Sequence, residues 1–228
     1  MKTGSTQSTS AGKFTPIIHA ILVDDERPYH GILPEFARRQ PGVVCHPGCF
    51  SGAEALAKIP GLGIDLVFMD VRLGEMTGIE CLKELKKLSP GIAVILISAF
   101  PPDDNVLRAV EAGARGFLEK SVVIKELGPA LEAYREGRTW LSRGAESALF
   151  ASLAMEATKR EVRSLMTNKE WIILELLLLD GDRKTMPDTL GIKPSTLKTH
   201  CRNIYHKLGV RSLRALKVRL NWQQGGKV

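Results

Sequence analysis

No apolar run in this chain approaches the roughly 18 residues needed to cross a bilayer, so no membrane-spanning helix and no membrane partner are expected. Residues 1–16 are rich in Ser, Thr and Gly and lack the apolar core of a signal peptide; they read as a flexible arm on a cytoplasmic protein. Cysteine is scarce: four residues, at positions 45, 49, 81 and 201. The stretch Cys45-His46-Pro47-Gly48-Cys49 invites a metal reading, but no second ligand pair stands at zinc-site spacing. Ordinary reduced thiols are therefore expected. Acidic residues are missing from the C-terminal end. After Asp188 there are none, while nine basic residues follow.

The net charge of +7 is accordingly uneven. Residues 17–140 hold 14 Lys and Arg against 17 Asp and Glu, whereas residues 141–228 hold 16 against 8. A basic terminal domain beside an acidic one points to nucleic acid, with ammonium and guanidinium groups neutralising phosphates.

The first part of the chain alternates strand-like and helical segments. Leu66-Val67-Phe68-Met69 reads as a strand buried on both faces, and it stops at Asp70. The stretch Val71 to Gly78 after it is glycine-rich and reads as irregular. Ile17 to Val23 is a further strand, ending in Asp24-Asp25-Glu26; Val43 to Cys45 is shorter, and Pro47 argues for an edge position. Ser51 is placed to cap a helix, with Glu54 at the capping-box position. Ile92 to Ile97 ends at Ser98, and Gly116 to Glu119 ends at Lys120. Helices are expected over Arg27–Gln40, Gly78–Leu88, Asp103–Ala112 and Val122–Arg135. The order is (βα)5, with right-handed crossovers placing helices on both faces of a parallel sheet.

In such sheets chemistry sits beyond the carboxyl ends of the strands. Those ends carry Asp24, Asp25, Asp70, Ser98 and Lys120. Taken alone, Asp70 could simply cap the next helix. Three neighbouring carboxylates repel, however, and a hard cation such as Mg²⁺, which prefers oxygen ligands, would relieve them. An Asp held beside Mg²⁺ and a lysine is suited to accept a phosphoryl group.

On these five positions, residues 17–138 resemble the receiver domain of two-component response regulators. The resemblance implies a flavodoxin-like α/β fold with strand order 2-1-3-4-5. It implies that Asp70 is the phosphoacceptor, and that Asp25, Asp70 and the backbone carbonyl of Arg72 coordinate Mg²⁺, with Asp24 helping through water. Ser98 and Lys120 would contact phosphoryl oxygens, and Phe117 would be an aromatic switch that swings inward when Ser98 moves. Some positions depart from the pattern. Gly74 and Ser121 stand where many receivers have Pro, Pro101-Pro102 stiffens the loop after Ser98, and Phe117 lacks the hydroxyl of a Tyr. The altered loop at Gly74-Glu75 and the Phe117 switch also fit a second reading, a DNA-binding regulator controlled by protein contacts without phosphorylation. Arg72 occupies the place where aspartyl-phosphate phosphatases need a second Asp as general acid, so a regulator is expected and not an enzyme.

Residues 139–164 read as a partly helical linker. In residues 165–228, Thr167 to Leu179 is a strongly apolar helix ended by Asp180-Gly181-Asp182. Thr185 to Leu190 is a short helix, Gly191-Ile192-Lys193 a turn, and Pro194 to Leu208 a longer helix. Leu197, Cys201, Ile204 and Leu208 fall on its inner face; Lys198, Thr199, Arg202 and His206 fall on its outer one. Ser212 caps a last helix through Trp222. Short helix, glycine turn and longer helix with a basic outer face form a helix-turn-helix, in an all-α four-helix domain. Thr196-Leu197-Lys198-Thr199-His200 and Asn203 to Ser212 resemble the signature of NarL/FixJ (LuxR-type) regulators. That resemblance implies that Lys198, Thr199 and Arg202 face bases, that Ser195, Thr196, Asn203 and Lys207 contact phosphates, and that the last helix forms a dimer surface. Pro187 sits where the family usually has Ala. Proline is tolerated only in a first turn, so the short helix is expected to start near Thr185. The partners implied are double-stranded DNA, a sensor histidine kinase and a second copy of the chain, with RNA polymerase a further candidate.

Overall fold

The computed structural model describes residues 16–179 and 184–220. The expected arm, the helix end at Asp180-Gly181-Asp182 and the end of the last helix at Trp222 lie outside them. The chain divides into two compact units, with the boundary between Ser152 and Leu153.

The first unit alternates β1 (Ile18–Val23), α1 (Arg27–Arg38), β2 (Val43–Cys45), α2 (Gly52–Lys58) and β3 (Leu66–Asp70). A hairpin of two-residue strands follows, β4 (Arg72–Leu73) and β5 (Met76–Thr77). Then come α3 (Gly78–Leu88), β6 (Ala93–Ser98), α4 (Asn105–Glu111), β7 (Gly116–Glu119), α5 (Val123–Arg135), β8 (Trp140–Leu141) and the first part of α6 (Arg143–Leu165), the helix in which the boundary falls. The sheet is parallel, in the order β2-β1-β3-β6-β7-β8. Setting the separate hairpin aside, its first five strands follow the expected 2-1-3-4-5.

Side chains alternate across each strand. Val23, Val67, Met69, Val94, Leu96 and Phe117 form one core with α2, α3 and α4. Leu22, Leu66, Phe68, Ile95 and Leu118 form the other with α1 and α5. With both faces covered, the strands can be apolar throughout, and polar groups are pushed to their ends.

Two expectations need correction. The segment after Asp70 is not irregular: Gly74, at φ +71°, turns it into the β4–β5 hairpin. The segment expected as a linker from 139 begins inside the first unit. Trp140 and Leu141 add a sixth strand beside β7. Gly116 permits this, because a Cβ there would lie 2.7 Å from the Trp140 carbonyl oxygen. The Trp140 indole N–H donates to Glu126 at 3.0 Å, and Ser142 N–H donates to the Phe117 carbonyl at 3.0 Å. Ala145, Ala148 and Leu149 of α6 then pack on the core that holds Phe117. The linker is fully helical from Arg143 onward.

The second unit contains α7 (Asn168–Leu178), α8 (Met186–Leu190), α9 (Pro194–Lys207) and α10 (Leu213–Arg219). Ile173, Leu174, Leu177, Met186, Leu197, Cys201, Ile204, Leu208 and Leu216 make its core. Pro187 lies in the first turn of α8, with Thr185 as N-cap, as its missing N–H requires. Gly191, at φ +61°, ends that helix in the left-handed region.

Thr167 and Glu170 form a reciprocal capping box on α7. Glu170 is buried, with its side chain 5% exposed, and the Lys207 ammonium from the end of α9 lies 2.7 Å away. Burial alone would raise the Glu170 pKa; the Lys207 ammonium and the Thr167 N–H and hydroxyl outweigh it and bring it down to about 2. The charged form is thus favoured by folding. Its contribution is complete above the unfolded value of 4.5 and is lost as pH falls toward 2.

Between pH 6 and pH 3, urea denaturation is expected to show the wild type losing about 1 kcal/mol more stability than Glu170→Gln, the full linkage value being roughly halved for solvent screening at the one-third-exposed Lys207. Equal losses would remove the pair from the account. In the first unit, a Cβ at Gly78 would overlap the Asp70 carbonyl oxygen, whereas a Cβ at Gly31 in α1 meets nothing within 4 Å. Gly78→Ala is expected to cost about 2 kcal/mol or more, and Gly31→Ala to stabilise by about 0.5 kcal/mol, both read as shifts in thermal unfolding.

Candidate functional site

The parallel register brings the strand ends level. Asp70 pairs with Ile97, and Ser98 pairs with Glu119. The next residue, Lys120, donates its backbone N–H to the Ser98 carbonyl at 2.7 Å. Strand β1 ends one residue before Asp24, and the Asp24 N–H donates to the Cys49 carbonyl at 3.1 Å.

The side chains converge from these ends. Lys120 Nζ lies 2.5 Å from Asp70 Oδ2, 2.9 Å from Asp24 Oδ2 and 2.9 Å from Glu26 Oε2. The Tyr29 ring covers the same ammonium, with its centroid 3.9 Å away. The Lys120 side chain is 3% exposed, Asp24 1% and Glu26 56%. Burial alone would lower the Lys120 pKa; the three carboxylates outweigh it and hold it above the usual value. Burial pushes the Asp24 carboxyl up, against the pull of Lys120 and the Glu26 N–H. Asp70 Oδ1 accepts from the Arg72 N–H at 3.1 Å, and Asp24 Oδ1 accepts from the Glu26 N–H at 2.8 Å.

Asp24, Asp25 and Asp70 each offer a carboxylate oxygen, all within 4.8 Å of one another. Among the described residues they are the one group of three or more acidic, His or Cys side chains placed to share a metal ion. Asp24 Oδ2 is buried and, apart from its ion pair with Lys120, has no hydrogen-bond donor. A single ammonium cannot balance this many carboxylates. An oxygen-seeking divalent cation such as Mg²⁺ fits the donor set.

Not every expected residue points into the rim. The Ser98 hydroxyl is held by its own loop, donating to the Phe100 carbonyl and accepting from the Phe100 N–H, both at 3.1 Å. Phe117 is buried, 1% exposed, with its ring in the core. The Arg72 guanidinium stacks on the Phe100 ring at 3.7 Å. The cysteines form no disulfide, and His46 Nε2 lies 3.0 Å from His19 Nδ1 and not in a metal cluster. Glu26 and Tyr29 were not among the expected site residues. The acidic run Asp24-Asp25-Glu26 was the available signal for Glu26; nothing in the pattern marked Tyr29.

In the second unit, Ser195, Thr196, Lys198, Thr199, Arg202, Asn203, His206 and Lys207 are all exposed along α9. Lys198 and Arg202 make no ion pair among the described residues, so their charge is free for an anionic partner. The Thr199 hydroxyl donates to the Ser195 carbonyl at 3.1 Å, which leaves its lone pairs as acceptors. Lys207 differs from the others: its ammonium neutralises Glu170 inside the unit.

Residues 20–132 match the response regulator receiver domain family, and residues 164–219 match the luxR family of bacterial regulatory proteins. The chain is 29% identical over 194 residues to the DNA-binding transcriptional activator DevR/DosR of Mycobacterium tuberculosis, covering 85% of this chain and 89% of that one. It is 28% identical over 194 residues to the response regulator protein VraR of Staphylococcus aureus, covering 85% and 91%. The response regulator in the RcsB–DNA complex shares the fold, with a TM-score of 0.63 at 17% identity over 90% of this chain and 97% of that one. A LuxR-family two-component response regulator from Aurantimonas sp. gives 0.57 at 25% identity, over 60% and 99%. A receiver domain followed in one chain by a luxR-type helix-turn-helix defines the DNA-binding transcriptional response regulators of two-component systems, and this chain belongs to that family.

Proposed function

We propose that Asp70 is the phosphoacceptor and that its phosphorylation by a sensor histidine kinase controls DNA binding by α9. The observation that carries this is the convergence of Asp24, Asp25, Asp70 and Lys120 at one strand-end rim. The Asp70 carboxylate attacks the phosphorus of a phosphohistidine. An O–P bond forms as the P–N bond breaks, and the imidazole leaves with the electron pair and regains a proton. Lys120 holds Asp70 in place and meets the charge of the transferring oxygens. Asp25, Asp70 and the Arg72 carbonyl would hold Mg²⁺, with Asp24 acting through water. When bound, the ion neutralises charge on the attacking and transferring oxygens.

Ser98 would leave its bonds to Phe100 to meet a phosphoryl oxygen. That loop runs on to Pro102, whose ring stands beside Gly144 in the first turn of α6, so its movement would bias packing beyond the rim. At the other end of the chain, Lys198, Thr199 and Arg202 read base edges from the major groove, and Ser195, Thr196 and Asn203 contact phosphates. Two copies occupy paired half-sites through α10, whose Val218 is exposed. The setting is the bacterial cytoplasm. Among the described residues no helix is long and apolar enough to cross a membrane.

Asp70→Asn is expected to abolish Mg²⁺-dependent labelling by a phosphodonor; label kept at the wild-type level would refute the assignment. Arg202→Ala is expected to weaken binding to the cognate site by about 1–3 kcal/mol while affecting random DNA much less. Equal losses in a titration on both DNAs would make Arg202 a phosphate contact.

A further inference from the structure

Lys120 has three N–H donors, and three carboxylates already surround it: Asp24, Asp70 and Glu26. A phosphoryl group on Asp70 would bring three more oxygens to the same ammonium, in competition with the carboxylates already there. Asp24 is buried and pinned by the Glu26 N–H, and Asp70 carries the incoming group. Glu26 is different. Its side chain is 56% exposed, and Lys120 is its one side-chain partner among the described residues.

Its position in the chain makes the contact more telling. Glu26 is the N-cap residue of α1, yet its side chain accepts no bond from the first turn of that helix. A cap residue ordinarily satisfies one of those orphan N–H groups. Glu26 reaches back to the rim instead, and Tyr29, three residues on, lays its ring over the same ammonium. The first turn of α1 thus closes over Lys120 with one removable charge and one ring.

We propose that Glu26 is a built-in competitor for Lys120, a positioning residue whose carboxylate occupies the donor that a phosphoryl oxygen takes once Asp70 is phosphorylated. The inference rests on the phosphoacceptor reading and adds a brake to it. Glu26 slows phosphorylation in two ways: it occupies the lysine, and its charge repels the anionic donor. Release of Glu26 into water costs little because the side chain is already half in it.

The test uses the full chain at saturating Mg²⁺ with acetyl phosphate as donor. The Asp70 oxygen forms the new O–P bond, and acetate leaves with the electrons of the broken one. Label is followed by intact mass. Glu26→Gln keeps the shape and loses the charge, and is expected to label about fivefold faster than wild type, the effect of one unit charge removed a few ångströms away in a well-screened site. Glu26→Asp keeps the charge but draws it back by one methylene, and should fall between the two. General damage would slow labelling, so the direction of the effect excludes a merely structural role. Wild-type labelling unchanged or slowed in Glu26→Gln overturns this proposal alone. No label on either chain overturns it together with the phosphoacceptor reading. A second readout needs no variant. In a structure of the wild type with Mg²⁺ and beryllofluoride, Glu26 should stand beyond hydrogen-bonding distance of Lys120, and a retained pair overturns the proposal.

Discussion

One buried ammonium holds the strand-end rim together. Lys120 draws Asp24 from the end of β1, Asp70 from the end of β3 and Glu26 from the start of α1 onto a single nitrogen. Without it, buried carboxylates would face each other across neighbouring strands, and an unpaired buried charge is among the costliest defects a fold can carry. With it, the rim remains short of positive charge, because Asp25 and the surplus carboxylate oxygens stay uncompensated. That shortage gives the site its chemistry. On the proposed reading it would attract a divalent cation, and the cation and lysine together would suit the rim to a phosphoryl group.

The same physics recurs in the second unit with a different outcome. Glu170 and Lys207 also bring opposite charges together, but the pair is closed by a capping box and leaves no surplus. It fastens the start of α7 to the end of α9 and so fixes the helix that carries Lys198 and Arg202. Among the described residues these two side chains have no acidic partner. Charge that is paired builds the domain, and charge that is unpaired stays available to an anionic partner.

The sequence made the strand ends legible because a strand buried on both faces must be apolar throughout. The abrupt change from Met69 to Asp70, or from Leu118 to Glu119 and Lys120, then marks where the sheet meets water. The limits of α3 and of β3 followed from the same contrast, and Pro187 marked the start of α8 through its missing N–H. What stayed hidden depended on tertiary contact. Trp140 and Leu141 are too short a run to read as a strand; they become one because Gly116 leaves room for them. The hairpin after Asp70 rests on one positive-φ glycine. Lys207 meets a buried partner 37 residues away and Glu26 a lysine 94 residues away, and no local pattern announces either pairing. Periodicity reports which face a residue occupies, not which distant charge it meets.

Replacing the central ammonium tests the account most directly. The thermal midpoint of the full chain carrying Lys120→Met should be measured with and without millimolar Mg²⁺. The rim should then hold carboxylates with no counter-charge, so the variant should unfold well below the wild type in metal-free buffer. Mg²⁺ should restore more of its midpoint than it adds to the wild type. A variant as stable as the wild type, with neither protein responding to Mg²⁺, would contradict the account.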